Sequence, residues 1–281
     1  LSTGRAQATQ RRVPFTIMTF DPHPAVLLKP GVPRFPLTTL QQRQELLAGF
    51  SPEILLLVPT TREFLAITDE EFLRQIVCGD AASGMGATLL VEGPTFTYGR
   101  GAKGTVETLK KEGPSLGFET LVVPTQEQSL TDMSMIKVSS SAIRWLISQG
   151  RVADAAKALG RPYALRGTVV EGQKRGRTIG FPTANLESTQ LVPAAGVYAG
   201  RAVIDGQSHP AAISVGDNPT FGGKTTTVEA FLLGFSGDLY GKVMELSFHA
   251  WVREMYAFAG VDPLVTQMNR DVEWTKRMIE K

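Results

Sequence analysis

The chain has few of the residues on which several protein classes depend. It contains one cysteine, Cys78, and three histidines among 281 residues. A single cysteine excludes a disulfide framework within the chain and suits a reducing cytoplasm. The scarcity of thiols and imidazoles argues against a structural zinc site. No run of about 18 apolar residues occurs, so we expect no membrane-spanning helix. The formal net charge is only +2, which provides no basic field for nucleic acid.

Two further absences concern phosphate binding and the start of the chain. No G-x-x-x-x-G-K-[S/T] pattern occurs, so the chain has no P-loop. Residues 1–12, LSTGRAQATQRR, are basic but lack the apolar segment of a secretory signal. Because residue 1 is leucine and no methionine precedes it, we expect that the chain begins part-way through a natural protein.

Residues 1–147 alternate short apolar runs with amphipathic stretches, in a chain long enough for two domains. The continuous apolar character of the runs predicts strands buried on both faces, as in a parallel sheet. The helical stretches include a capping box of Thr68 with Glu71 and a helix stop at Gly113. This alternation predicts an α/β doubly wound domain. The predicted strands are 15–20, 53–58, 87–93 and 119–124, and the predicted helices are 38–50, 68–79 and 105–113.

The second half has a different pattern. Residues 139–161 predict one or two helices, so residues 148–160 are interpreted as a helical linker. Residues 161–281 contain strand-like segments bounded by Gly, Asp-Gly or Pro, which predict a small antiparallel β-barrel domain with a C-terminal helix. The predicted strands are 163–172, 196–205, 209–216, 226–234 and 242–252, and the helix is 262–281.

A glycine-rich basic loop precedes the second of these strands. Glycine lets the backbone approach a ligand closely, and successive N–H groups in such a loop form a concavity for anions. The residues concerned are the glycines Gly172, Gly176 and Gly180 and the cations Lys174, Arg175 and Arg177. The loop is therefore a candidate phosphate site, and the alternative is a glycine-rich hairpin with basic surface residues.

The loop ends in the tetrapeptide Pro182–Asn185. Proline stiffens the exit, and in an extended chain Thr183 and Asn185 share one face because their positions are two apart. A hydroxyl and a carboxamide oxygen are hard ligands, suited to Mg²⁺ that nucleotide phosphates already hold in part.

Glu229 is the candidate base of the second half. Alternation in TTTVEAFLLG places it on one strand face with Phe231 and Leu233. A carboxylate among apolar side chains is paired, raised in pKa or functional. The alternative is an edge-strand glutamate near the rim of the sheet.

These segments resemble the riboflavin kinase part of the bacterial bifunctional riboflavin kinase/FAD synthetase family. The resemblance rests on GRTIGFPTAN (176–185), LVPAAGVYAG (191–200), AAISVGDNPTFGG (211–223) and VEAFLLGFSGDLYGK (228–242). It implies transfer of the ATP γ-phosphate to riboflavin, giving FMN, with Glu229 activating the terminal ribityl hydroxyl. It further implies that Thr183 and Asn185 hold Mg²⁺ and that Gly176, Arg177 and Gly180 contact ATP.

The resemblance also implies roles for two loops of the barrel. Segment 215–223, VGDNPTFGG, would be a flavin-side loop, and segment 237–241, GDLYG, a nucleotide-side loop. The first half resembles the same family's nucleotidyltransferase-like part, which adenylylates FMN to FAD. That likeness rests on TFDPHP (19–24) and SSSAIR (139–144).

Several residues of the first half are candidate phosphate ligands by this resemblance: Lys137, Ser139, Ser140, Ser141 and Arg144. Hydroxyls and a guanidinium near a helix start suit an anion, and the alternative is a serine helix cap. The family's His-x-Gly-His motif and its first strand are absent. His23 cannot replace a histidine pair, and Thr95 stands where the family has Asn or Asp.

Three functional hypotheses follow. The first is an enzyme of the cytoplasm that makes FMN and, in the full-length protein, FAD. The second is a riboflavin kinase with a degenerate first domain, and the third is a flavin-binding protein without turnover. In each, the expected ligands are small molecules, namely riboflavin, FMN and ATP; neither nucleic acid nor a membrane is expected, and the oligomeric state is left open.

Overall fold

A computed structural model of the chain describes residues 1–28, 35–79, 84–172, 175–220 and 223–279, with the backbone alone at 175, 217–220 and 223–225. The chain forms two compact units, one of residues 1–34 and 40–126 and the other of residues 35–39 and 127–281. No helix in the parts of the chain that the structure describes is long and apolar enough to cross a membrane.

The first unit alternates strands and helices, as the sequence predicts. Its strands are β1 (Thr16–Asp21), β2 (Ile54–Pro59), β3 (Leu89–Glu92), β4 (Thr97–Tyr98), β5 (Gly104–Thr105) and β6 (Glu119–Val122). Its helices are α1 (Ser2–Arg11), α2 (Pro24–Leu28), α3 (Leu40–Ala48), α4 (Arg62–Ala66), α5 (Asp69–Glu71) and α6 (Val106–Leu116). A π-helix, Phe72–Cys78, continues directly from α5.

Four strands of this unit form two parallel pairs, and the short β4 and β5 pair antiparallel. Strand β1 pairs with β2 and β3 with β6, and within the described residues neither pair is bonded to a further strand. Each strand therefore keeps one unpaired edge, and most of its residues are only half-buried; in β1 only Ile17 is buried. The predicted burial on both faces is wrong, because these strands do not lie inside a continuous sheet.

Two helix signals in this unit have different outcomes. The capping box is confirmed, since Thr68 Oγ1 accepts the Glu71 N–H and the Glu71 carboxylate accepts the Thr68 N–H. The predicted stop at Gly113 is wrong, because α6 continues to Leu116 and ends at Gly117, whose φ is 86°. Gly113 serves packing instead: a Cβ there would lie 2.8 Å from the Phe118 ring.

In its described residues, the second unit contains a small hairpin, a barrel and four helices. Its strands are β7 (Glu127–Ser129), β8 (Met135–Lys137), β9 (Tyr163–Val170), β10 (Ala184–Glu187), β11 (Gly196–Ile204), β12 (Gln207–Thr220), β13 (Gly223–Leu232) and β14 (Val243–Arg253). Its helices are α7 (Ser140–Ser148), α8 (Val152–Leu159), α9 (Arg175–Thr178) and α10 (Val261–Ile279).

Six antiparallel strands close the barrel in the order β10-β13-β12-β11-β14-β9. Alternate side chains point inward, so β13 contributes Val228, Ala230 and Leu232 to the core while Glu229 faces outward. Closure leaves the barrel with no free sheet edge. It also brings β10 beside β13, which places residues far apart in sequence on one outer surface.

Residues before the barrel pack into the same core. Ile143, Leu146 and Ile147 of α7 and Val152 and Ala155 of α8 join the barrel's buried cluster. Residues 127–147, which the sequence assigns to the first domain, thus pack with the second unit. The division into 1–147, 148–160 and 161–281 stays a prediction about functional domains.

Candidate active site

The end of the basic loop places Thr183 and Asn185 on the outer face of the barrel. Asn185 lies in β10 between Ala184 and Leu186, which are both buried in the core. Strand alternation therefore turns the Asn185 side chain outward. Thr183 lies two residues earlier and is half-buried, as Asn185 is. The predicted sharing of one face by the hydroxyl and the carboxamide agrees with this geometry.

Glu229 lies beside this pair. Strands β10 and β13 are in a register that sets Asn185 opposite Glu229. The Thr183 hydroxyl donates a hydrogen bond to Glu229 Oε2 at 3.0 Å. Three side chains from two segments more than 40 residues apart thus converge, since Thr183 and Glu229 are separated by 46 positions.

Glycine is required at two positions of the loop because other parts of the site approach it closely. A Cβ at Gly172 would overlap the Asn185 carboxamide, and a Cβ at Gly176 would overlap the Phe181 carbonyl oxygen. The Gly176 carbonyl accepts the Phe181 N–H at 2.9 Å, which closes the loop before Pro182. Gly180, with a φ of 86°, forms the turn between them. Lys174 lies outside the described residues, and so does the Arg175 side chain.

A cavity of about 330 Å³ adjoins the Thr183 side of this cluster. Its walls include the loop residues Gly176, Arg177 and Pro182 to Ala184 and, from the segment after β13, residues 235–240. The core residues Val169 and Leu232 form an apolar floor. The predicted nucleotide-side loop 237–241 therefore lines the cavity through residues 237–240. In the predicted flavin-side segment 215–223, the side chains after Gly216 lie outside the described residues.

Two contacts near the site were not predicted from the sequence. Phe181 and Phe231 pack edge to face with ring centroids 5.2 Å apart, on the face that carries Glu229. Ser214 is paired with Glu229 across β12 and β13, and its hydroxyl lies 3.6 Å from Met255 Sδ. The aromatic spacing around Pro182 and Glu229 was the available signal, but the contacts depend on the strand register.

The candidate residues of the second predicted site lie at the start of α7. Ser139 is the N-cap residue, and its hydroxyl accepts the Ala142 N–H at 3.1 Å. Lys137, Ser140 and Ser141 are exposed, and Arg144 is half-buried. The structure thus contains the serine cap that was the alternative interpretation, and a phosphate role for these residues stays a prediction.

The two residues noted as departures from the family motif lie in the first unit. His23 Nδ1 accepts the Ala25 N–H at 3.2 Å, next to α2. Thr95 is exposed between β3 and β4.

The residues around Thr183 fit a hard cation held jointly with phosphates. No group of three or more His, Cys, Asp or Glu side chains that would hold a metal by itself occurs in the described ranges. The Thr183 hydroxyl and Asn185 carboxamide offer neutral oxygen donors beside one carboxylate. Mg²⁺ is usually bound by one or two protein ligands together with substrate phosphates and water, so this donor set suits it.

An α/β unit with parallel strand pairs, followed by a closed barrel with a carboxylate beside a glycine-rich loop, defines a two-part nucleotide-using transferase. The FAD synthetase family model matches residues 1–142, and the riboflavin kinase family model matches residues 159–279. These matches confirm the predicted nucleotidyltransferase-like and barrel folds. The chain belongs to the bifunctional riboflavin kinase/FMN adenylyltransferase family.

Curated relatives with that name cover nearly the whole chain. The protein of Listeria monocytogenes is 31% identical over 98% of this chain and 85% of its own length. The protein of Bacillus subtilis is 31% identical over 96% of this chain and 84% of its own length. A crystal structure described as a macrolide-efflux protein of Streptococcus pneumoniae has a TM-score of 0.84 and 33% identity, and the match covers 98% of this chain and 88% of that chain.

Proposed function

We propose that the barrel unit transfers the γ-phosphate of ATP to riboflavin, with Glu229 as the base. Family membership gives the chain two activities, riboflavin phosphorylation and FMN adenylylation. The observation that carries the residue assignment is the 3.0 Å hydrogen bond from Thr183 to Glu229, beside a cavity with a basic loop on one wall.

The hydrogen bond defines how the carboxylate works. Oε2 accepts the Thr183 hydroxyl, which leaves Oε1 to accept the proton of the terminal ribityl hydroxyl. As that proton moves to Glu229, the alcohol oxygen forms a bond to the γ-phosphorus, and the bond from this phosphorus to the β–γ bridging oxygen breaks. The products are FMN and ADP. A positioned base of this kind contributes about 10²–10⁴-fold to the rate.

Thr183 and Asn185 are the residues that would hold Mg²⁺ together with the ATP phosphates. When bound, the cation neutralises charge that develops on the transferring phosphoryl group. The Thr183 hydroxyl donates its proton to the Glu229 hydrogen bond, and its oxygen would still be available as a ligand of the cation. Gly176, Gly180 and the Arg177 guanidinium are proposed to bind the phosphates.

The cavity suits the rest of the nucleotide. The base is placed against the apolar floor of Val169 and Leu232, and the phosphates extend toward Arg177 and Thr183. The walls at 235–240 then flank the sugar. This orientation directs the γ-phosphate toward Glu229, which the Thr183 hydrogen bond links to the cavity.

We propose adenylylation of FMN as the second activity, with Lys137, Ser139, Ser140, Ser141 and Arg144 as phosphate-binding residues. Hydroxyls at a helix start and a nearby guanidinium favour anions. We assign both reactions to the cytoplasm, where ATP is available and the single thiol stays reduced.

The test is an assay of the full chain with riboflavin and Mg-ATP that resolves FMN from FAD. Formation of both products supports the proposal as stated. FMN alone supports a kinase with a first unit that does not turn over. Tight riboflavin binding with neither product contradicts the proposed catalysis and supports a flavin-binding protein.

A further inference from the structure

The cavity beside Thr183 is lined by two side chains of opposite charge, Arg177 and Asp238. No ion pair joins these two side chains in the described part of the chain, although both line one cavity of about 330 Å³. The cavity therefore has one side chain that attracts anions and another that attracts hydrogen-bond donors.

Asp238 is held in a fixed orientation. Its Oδ1 accepts the backbone N–H of Tyr240 at 3.0 Å, an arrangement that ties the side chain to its own turn. The side chain cannot then rotate freely, and Oδ2 is left to accept further hydrogen bonds. An ionised carboxylate only accepts, so its partner in a bound ligand has to be a donor.

A nucleotide triphosphate offers donors at two places only, the ribose hydroxyls and the amine of the base. The phosphates are excluded as partners because they are anionic and would be repelled by Asp238. The base is assigned to the apolar floor formed by Val169 and Leu232, away from the exposed Asp238. The sugar connects the base to the phosphates and so passes the wall that Asp238 occupies.

Resting on the proposed function, we propose that Asp238 accepts hydrogen bonds from the ribose 2′- and 3′-hydroxyls of ATP. Asp238 is thereby a specificity-determining residue that selects ribonucleotides over deoxyribonucleotides. An analogue that lacks the hydroxyl cannot form this hydrogen bond and so binds less tightly. Because Asp238 is exposed and water solvates its carboxylate when the hydroxyl is missing, the preference for ATP is on the order of tenfold.

The experiment compares ATP, 2′-deoxy-ATP and 3′-deoxy-ATP as phosphate donors for the full chain, with the sum of FMN and FAD as readout. The informative variant is Asp238→Asn, because the amide oxygen can still accept the Tyr240 N–H and preserve the turn. We expect the wild type to prefer ATP, and the variant to lose this preference through a lower kcat/KM for ATP with little change for the deoxy analogues.

Asp205→Asn is the matched control. Asp205 is an exposed aspartate of the β11–β12 turn that is not among the residues lining the cavity, and it pairs with Lys242 at 2.6 Å. This control should keep the full preference for ATP. Should Asp238→Asn be inactive, calorimetric binding of ADP and 2′-deoxy-ADP to Asp238→Ala and the wild type gives the same comparison without turnover.

An unchanged preference for ATP in the Asp238 variants overturns the inference. The inference is also overturned if the Asp238 variants change only the preference for ATP over inosine triphosphate. That result would place the carboxylate at the amine of the base. Failure of the proposed function is a separate outcome, because the wild type would then form no FMN from riboflavin and ATP at all.

Discussion

At the scale of single residues, the site depends on two glycines as much as on its functional side chains. Gly172 leaves room for the Asn185 carboxamide, and Gly176 leaves room for the Phe181 carbonyl. The sequence predicted glycines for close approach to phosphate. The structure adds that these two also let parts of the protein approach one another, which no spacing rule could supply.

Gly172→Ala should displace the Asn185 carboxamide from its present position. Misplacing a ligand by about 1 Å costs on the order of 10²-fold in rate, so FMN formation should fall by that order and require more Mg²⁺. Steady-state rates at increasing Mg²⁺ measure this. Gly260→Ala is the control, since a Cβ there meets nothing within 4 Å. Equal rates for the Gly172 variant and the wild type would show that Asn185 is not held by this contact.

Glu92, at the end of β3, gives a second prediction at this scale. Burial raises its pKa to about 7. The folded state therefore retains a proton that the unfolded state releases from about pH 4.3 upward. This residue accordingly costs stability increasingly as pH rises from about 4.3 to about 7, and the cost is constant above that range.

Glu92→Gln should accordingly stabilise the first unit at pH 8, by up to about 3 kcal/mol, and much less at pH 4. Thermal unfolding of the two proteins across this pH range measures the difference. The exposed Glu70→Gln in the same unit is the control. A stability difference that does not depend on pH would contradict the assignment of a raised pKa.

At the scale of secondary structure, an ion pair between half-buried Arg253 and buried Asp271 connects the terminal helix to the barrel. Arg253 at the end of β14 donates to Asp271 of α10, from Nη2 to Oδ2 at 2.7 Å and from Nε to Oδ1 at 3.0 Å. Gln267 also donates to Asp271 Oδ1 at 2.9 Å. The sequence predicted both elements but not this contact, because charge alone does not identify the partner.

Asp271→Ala should destabilise the barrel unit by about 3–5 kcal/mol, since it leaves the Arg253 charge buried without its partner. Denaturant unfolding followed by circular dichroism gives the value. Glu273→Ala removes an exposed carboxylate of the same helix, paired with Lys276 at 2.8 Å, and should change stability little. Equal effects of the two substitutions would argue against the buried pair as the connection.

Regular elements were more predictable than their exact limits. Apolar alternation located five barrel strands, but β10 has only four residues between Pro182 and a turn, and was recognised only as an extended segment. The predicted helix end at Gly113 was wrong, because that glycine packs against Phe118 inside the helix. Local signals describe backbone preference, and tertiary contacts decided these cases.

At the scale of the whole molecule, barrel closure creates the candidate site. Thr183 and Glu229 were both identified from the sequence, through their residue types, strand alternation and the family resemblance. Their 3.0 Å contact requires β10 to pair with β13 across the closure. Strand order and register are properties of the complete fold, and composition or periodicity could not define them. The family resemblance implied only that these residues serve one site, not which strands pair.

The most direct test of the account is the rate of FMN formation by Glu229→Gln, measured with saturating riboflavin and Mg-ATP beside Glu187→Gln. Glu187 is an exposed glutamate of neighbouring β10 and serves as the matched control. The account predicts a loss of about 10²–10⁴-fold for Glu229→Gln, retained riboflavin binding, and near-normal turnover for Glu187→Gln. Wild-type turnover by the Glu229 variant would contradict the central claim.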